Sequence, residues 1–258
     1  MDKPLVLLTN DDGFFSQGMD ALSRHIKKDA QVYIVAPDRE RSATSLALNL
    51  HRPLRVKNIR ENIYAVDGTP ADCVYIAIQK ILPRKPDMLI SGINPGPNLG
   101  QQDISYSGTV AGALQGSFLK IPSIAISVLN DDKGEFHYDG AVKIGLFLMK
   151  KILKHSLPQD ATLNVNVPPP PIKGIKFVKL GQKRYNPEIS ERQDPRNRLY
   201  YWIGTGNPKA IGDGDSDVMV IKKGYATITP LHKDLTDYKI LKDKTYIRAF
   251  SAGANDAI

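Results

Sequence analysis

The sequence predicts an α/β protein: a doubly wound, mostly parallel sheet between two helical layers, with a β-rich C-terminal extension. Three observations predict it. Short apolar runs, such as Leu5 to Leu8 and Val32 to Ala36, alternate with stretches whose apolar residues recur at helical spacing. Several of these runs open directly onto polar or glycine-rich loops, as strands do at the carboxyl edge of a parallel sheet. The alternation stops at the proline run 168–171, and charged connectors then separate shorter strand-like pieces.

The first apolar run enters Thr9-Asn10-Asp11-Asp12-Gly13, and Met19, Leu22 and Ile26 follow at helical spacing before the second run, which completes a β-α-β unit. Residues 37–45 read as a polar loop, and residues 50–57 and 63–66 as two short strands. Thr69, Pro70 and Asp72 supply an N-cap, a first-turn proline and a capping-box acid for a helix carrying Val74, Ala77, Ile78 and Ile81. Met88 to Ser91 is a strand opening onto residues 92–100, whose glycine, proline and asparagine disfavour both helix and sheet. A helix is expected from Thr109 to before Pro122, a strand over 123–128, a helix over 139–155 and a strand over 163–167. Beyond Pro171, strand-like pieces fall near 175–180, 199–203, 218–222 and 225–229. The organisation predicted is a catalytic core over 1–171 and an extension over 172–258 that packs on it and serves oligomerisation.

A chain of 258 residues can bury a sizeable core. The single Cys73 excludes an internal disulfide, and with no basic-apolar leader or bilayer-length apolar run a soluble, cytoplasmic protein without membrane contact is expected. Net charge is +8, of which +2 lies in residues 1–171 and +6 in 172–258. The basic excess is dispersed and accompanies no nucleic-acid motif, so nucleic acid is not the favoured partner; a basic face can equally concentrate small phosphorylated substrates or keep the protein soluble.

Adjacent Asp11 and Asp12 at a strand end repel each other unless a cation or proton intervenes; the alternative is a solvated Asp-Gly turn. Two more polar loops share that sheet edge, Arg39-Glu40-Arg41-Ser42 and the segment with Asn94 and Asn98. Carboxylate, hydroxyl and amide oxygens suit a hard divalent ion, whereas the scattered histidines and lone cysteine do not suit zinc. Ser107-Gly108-Thr109 precedes a helix whose free N–H groups can cradle phosphate, with Gly108 permitting close approach; close helix packing is the alternative. Asp213, Asp215 and Asp217 imitate an EF-hand opening, but Gly224 stands where its bidentate glutamate belongs, so a solvated turn is expected. Dinucleotide, Walker and nucleophile-elbow motifs are absent.

Together, Thr9 to Gly13, Ala36 to Ala43, Gly68 to Cys73, Ser91 to Asn94 with Gly96 to Asn98, and Ser107 to Val110 resemble the successive signatures of the SurE, or survival protein E, family of 5'-nucleotidases. Gly224-Tyr225 and Thr227 to Leu231 are similar to its C-terminal strand. The resemblance implies a Rossmann-like core and one divalent cation per subunit, Mg²⁺ or Mn²⁺, held by Asp11, Asp12, Ser42 and Asn94. It implies hydrolysis of nucleoside 5'-monophosphates, extending in the family to 3'-nucleotides and short polyphosphate. It also implies a homodimer or tetramer that exchanges a C-terminal hairpin. Pro95 departs from the longer polar or basic side chain of many members and Tyr106 from the histidine of some, which bears on substrate preference.

On this reading Asn98, Ser107, Gly108 and Thr109 bind phosphate, and water attacks directly because no nucleophilic motif is present. The general base is not assigned. The competing function is a nucleotide sensor or nucleic-acid binder that uses the same pocket without turnover.

Overall fold

The computed structural model describes residues 3–158, 161–186, 188–204, 206 and 208–251. β1 (Leu5–Thr9) is wholly buried because its side chains alternate between two cores. Val6 and Leu8 meet Met19, Leu22 and Ile26 of α1 (Gln17–Ile26), whereas Leu7 packs on the opposite face in the cluster of Cys73 and Val74. The Ser16 hydroxyl caps α1 by accepting the Met19 N–H. β2 (Gln31–Pro37) returns parallel to β1, and the antiparallel pair β3 (Val56–Arg60) and β4 (Ile63–Val66) extends that side.

α2 (Pro70–Ile76) begins at the expected capping box, with Thr69 and Asp72 satisfying each other's backbone N–H. β5 (Met88–Pro95) then crosses to the other side of β1, and α3 (Gly100–Tyr106) and α4 (Gly108–Phe118) follow. β6 (Ser123–Val128), α5 (Asp139–His155) and β7 (Ala161–Val167) complete the parallel block. α1 and α5 cover one face, α2 and α4 the other, giving three layers. Each fully buried Leu, Ile or Met contributes about 1.5–3 kcal/mol.

Beyond the prolines, β8 (Ile175–Phe177), β9 (Gln182–Arg184), β10 (Ile189–Gln193), β11 (Leu199–Ile203) and β12 (Lys209–Ile211) are short. β9 pairs with β12, and β10 with β11, each pair antiparallel. α6 (Asp217–Val220) leads to β13 (Ala226–His232), which enters the main sheet antiparallel to β7 and carries β8 at its outer edge. The main sheet order is β3-β4-β2-β1-β5-β6-β7-β13-β8. α7 (Tyr238–Lys242) and α8 (Lys244–Ser251) bury none of their residues.

Four local expectations change. Residues 50–55 are irregular, and the strand begins at Val56. β5 continues to Pro95 because Asn94 and Pro95 pair with Ser127 and Val128. Residues 218–222 are helical, since Val218 and Ile221 share one helix face and pack on Leu99. Asp217 is not part of a solvated turn. Asp213 and Asp215 are exposed beside Lys179, but Asp217 is fully buried and accepts N–H bonds from Gly100, Gly181 and Val218, each at 2.7 Å.

Asp217 therefore binds the C-terminal segment to the start of α3. Asp217→Ala strands three buried donors and should cost about 3 kcal/mol or more in urea unfolding. A loss within experimental error would show that these bonds are replaceable.

Candidate active site

β1 lies between β2 and β5, where the sheet changes direction of growth, so its carboxyl end is the crevice in which open α/β sheets bind ligands. Asp11 and Asp12 stand there. The Arg41 N–H donates to the Asp11 carbonyl at 2.7 Å, drawing the loop after β2 against the loop after β1. Asn10 braces the same turn through the Gly13 carbonyl at 2.9 Å and the Ser16 hydroxyl at 2.7 Å.

The first turn of α4 abuts Asp11. The Thr109 hydroxyl donates to Asp11 Oδ1, and the Thr109 backbone also helps hold the carboxylate. A Cβ built on Gly108 would lie 2.7 Å from the Asp11 Cβ and 2.9 Å from its Oδ2. The space that requires glycine is thus filled by Asp11. Ser107 caps α4 through the Val110 N–H at 3.1 Å.

Burial is the largest influence on both aspartates and raises both pKa values. For Asp11 the Thr109 bonds oppose it; for Asp12 the Asp11 and Glu40 charges add to it, and its carboxyl is pushed up to about 7. Asp12 Oδ2 is buried without a hydrogen-bond partner. Ser42 donates to Glu40 Oε1 at 2.6 Å, and Asn94 donates its amide N–H to the Gly96 carbonyl at 2.6 Å, which leaves Asn94 Oδ1 as the uncommitted oxygen. Carboxylate, hydroxyl and amide oxygens therefore converge at one cleft of about 1090 Å³.

Asp11, Asp12, Ser42, Asn94, Asn98 and Ser107 all line this cleft, and Gly108 and Thr109 touch it through Asp11. Asn98 is heavily engaged with the sheet. Its N–H donates to Asn166 Oδ1 and its amide to Ser127 Oγ, both at 2.8 Å, while its carbonyl accepts from Asn164 at 2.8 Å and Asn166 at 2.9 Å. Glu40, Asp103, Lys183 and Tyr185 line the cleft without having been assigned from sequence. Lys183 and Tyr185 come from β9 and the residue just beyond it, and no local pattern announces that this segment returns to α3.

Among the described residues, Asp131, Glu135 and His137 also bring one ligand atom each within 4.8 Å of one another. Asp131 is already occupied there, accepting from the Lys133 and Glu135 N–H groups and pairing with His137 at 2.9 Å. These bonds close the turn after β6.

The fold and cleft define a doubly wound α/β protein with an acidic, glycine-lined site at the sheet's switch point. A family model described as survival protein SurE matches residues 6–187, and the chain belongs to the SurE family. It is similar to the 5'-nucleotidase SurE of Pelotomaculum thermopropionicum, with 45% identity over 92% of each chain. Similarity to the 5'-nucleotidase SurE of Aquifex aeolicus is 41% over 95% of this chain and 98% of that one. The crystal structure of the SurE protein from Aquifex aeolicus superposes with a TM-score of 0.81 at 40% identity, covering 95% of this chain and all of the other.

An acid with a higher pKa folded than unfolded binds more protons when folded, so it makes stability fall as pH rises. For Asp12 the window runs from the ordinary 3.8 to about 7. Chelator-treated protein should lose stability across that window, and Asp12→Asn should flatten the decline and raise the Tm at about pH 8. Parallel Tm–pH curves for the two proteins would contradict this assignment.

Proposed function

We propose that this chain is a metal-dependent phosphomonoesterase that hydrolyses nucleoside 5'-monophosphates to nucleoside and phosphate, consistent with the names of its relatives. The observation that carries the proposal is the pair of adjacent carboxylates at the switch point, buried Asp11 held by the start of α4 and half-buried Asp12 with an unpartnered buried oxygen. Such a pair is costly without a compensating positive charge. Asp11, Asp12, Ser42 and Asn94 would hold that charge as Mg²⁺ or Mn²⁺, a hard-oxygen set suited to either ion. When bound, the cation supplies Lewis acidity toward a phosphoryl oxygen and toward water.

The protein supplies the rest of the chemistry. Ser107 and the first turn of α4 present hydroxyl and backbone donors beside Asp11, a favourable end of the helix for negative charge. Thr109 spends its hydroxyl proton on Asp11 and so orients that carboxylate. Cys73 is fully buried in the core on the α2 side, its thiol raised by burial, and the Ser42 hydroxyl is assigned to the cation. Direct attack by water is therefore favoured over a covalent phosphoenzyme. Activity toward 3'-nucleotides and short polyphosphate is the broader part of the same proposal.

The decisive assay is phosphate release from AMP. Turnover should vanish with chelator, return with Mg²⁺ or Mn²⁺, and fall roughly 100- to 1,000-fold, as expected for loss of transition-state charge stabilisation, in folded Asp12→Asn. Tight AMP binding with no release would support the sensor reading, and full activity of Asp12→Asn at limiting metal would remove Asp12 from the ligand set.

The proposed assembly is a homodimer or tetramer exchanging its C-terminal arm. Leu235, Leu241 and Phe250 are 94%, 58% and 74% exposed, and Trp202 and Ile203 on the β10–β11 hairpin are 64% and 79% exposed. Among the described residues no helix is long and apolar enough to cross a membrane. A cytoplasmic location is proposed from the lone cysteine. Light scattering should show an oligomer for the full chain and a smaller species for a chain ended after Lys233. A fully active full-length monomer at micromolar concentration would contradict strand exchange.

A further inference from the structure

The cleft wall contributed by the C-terminal segment places one basic side chain beside an acidic site. Among the described lining residues, Lys183 is the single Lys or Arg, facing a cleft that also carries Asp11, Asp12, Glu40 and Asp103. A phosphomonoester bears a charge of about −1.5 to −2 at pH 7, so these carboxylates repel the very group the cleft is proposed to receive.

Lys183 is held in place rather than free to wander. Its ammonium donates to Asp103 Oδ2, and the Tyr185 hydroxyl donates to Oδ1 of the same carboxylate. The Leu99 N–H adds a third bond to Asp103 at 3.2 Å. The Lys183 and Asp103 side chains are 12% and 9% exposed. A nearly buried ion pair of this kind is weak support for stability, because apolar side chains of similar volume commonly do as well. Its place in a ligand cleft calls for another use. An ammonium has three protons, and one is engaged with Asp103.

The pair also stands next to the start of α4. The Asp103 carbonyl accepts the Ser107 N–H at 2.9 Å, so the carboxylate that orients Lys183 lies one helical turn before the Ser107 cap. Charge, orientation and proximity to the helix end coincide at one side chain.

We propose that Lys183 is a substrate-binding residue, its ammonium oriented by Asp103 and Tyr185 to engage the phosphate of the nucleotide. The proposal rests on the phosphomonoesterase reading of the cleft and assigns to Lys183 the recognition of the anionic part of the substrate. Lys183 contributes binding, while the aspartates and the α4 terminus remain responsible for the reaction.

The test uses Mn²⁺-loaded full-length protein and three probes: Mn²⁺ itself, AMP, and uncharged adenosine. Lys183→Met should weaken AMP binding at least tenfold, read as KM while AMP is turned over and by calorimetry if it is not, with kcat within threefold of wild type. Adenosine inhibition and Mn²⁺ affinity should be unchanged, and Lys183→Arg should keep AMP affinity within threefold. Equal weakening of AMP and adenosine, or no change in either, would overturn the proposal. If Lys183→Met does not fold, the double variant Lys183→Gln, Asp103→Asn replaces the ion pair by an amide pair of similar shape. There, AMP binding weakened at least threefold with adenosine spared supports the role, and unchanged AMP binding overturns it. Wild-type protein that binds AMP without hydrolysing it would count against the hydrolase reading alone, since the binding comparison still decides Lys183.

Discussion

The site depends on the approach of the α4 N-terminus to the Asp11 carboxylate. Burial would drive Asp11 toward its neutral form, and the opposing influence is the Thr109 hydroxyl and backbone at the positive end of a helix. That approach is possible because residue 108 has no Cβ; a side chain there would collide with Asp11 itself. Three other segments take their places from this contact. Arg41 reaches the Asp11 carbonyl and brings the loop bearing Glu40 and Ser42, β5 lies beside β1 and delivers Asn94, and Ser107 caps the helix. Asp12 receives no comparable support, and its raised pKa and unpartnered oxygen are the consequence. One carboxylate is stabilised by the fold, while its neighbour is left with an unmet need for positive charge.

Two further carboxylates join the two halves of the chain around this site. Asp217 gathers backbone donors from the α3 start, from Gly181 and from its own helix, and Asp103 gathers Lys183 and Tyr185. The outer wall of the cleft is thereby fixed to α3, one turn from the cradle. The sheet joins the halves as well, because β13 lies between β7 and β8. The basic excess of residues 172–258 meets the acidic site at Lys183.

The parallel core was legible because its strands and helices carry their own signals. The buried runs alternate faces, the helical residues recur at three and four, and the Thr69 box marks a helix start by side-chain chemistry alone. Asp11, Asp12, Ser42, Asn94, Asn98 and Ser107 were also legible as one cleft, since loops at one edge of a parallel sheet must meet. Positions determined by distant partners were not. Asp217 looked like a solvated turn residue because nothing near it reveals that Gly100 and Gly181 converge on its carboxylate. Residues 218–222 looked extended because a run of β-branched residues suits a strand, until packing against Leu99 selects the helical period. The sequence suggests that Gly108 makes room for a ligand, and the atoms that need the room are Cβ, Cγ and Oδ2 of Asp11.

The central claim is that Asp11, Asp12, Ser42 and Asn94 form the cation site of a phosphate-binding cleft. The most direct measurement is anomalous diffraction from crystals soaked in Mn²⁺ and inorganic phosphate. The account predicts an anomalous peak within about 2.0–2.6 Å of oxygens from these four residues, the range expected for hard divalent ions, with phosphate between that peak and the first turn of α4. A cation found only at Asp131, Glu135 and His137, or phosphate bound away from Ser107, would contradict it.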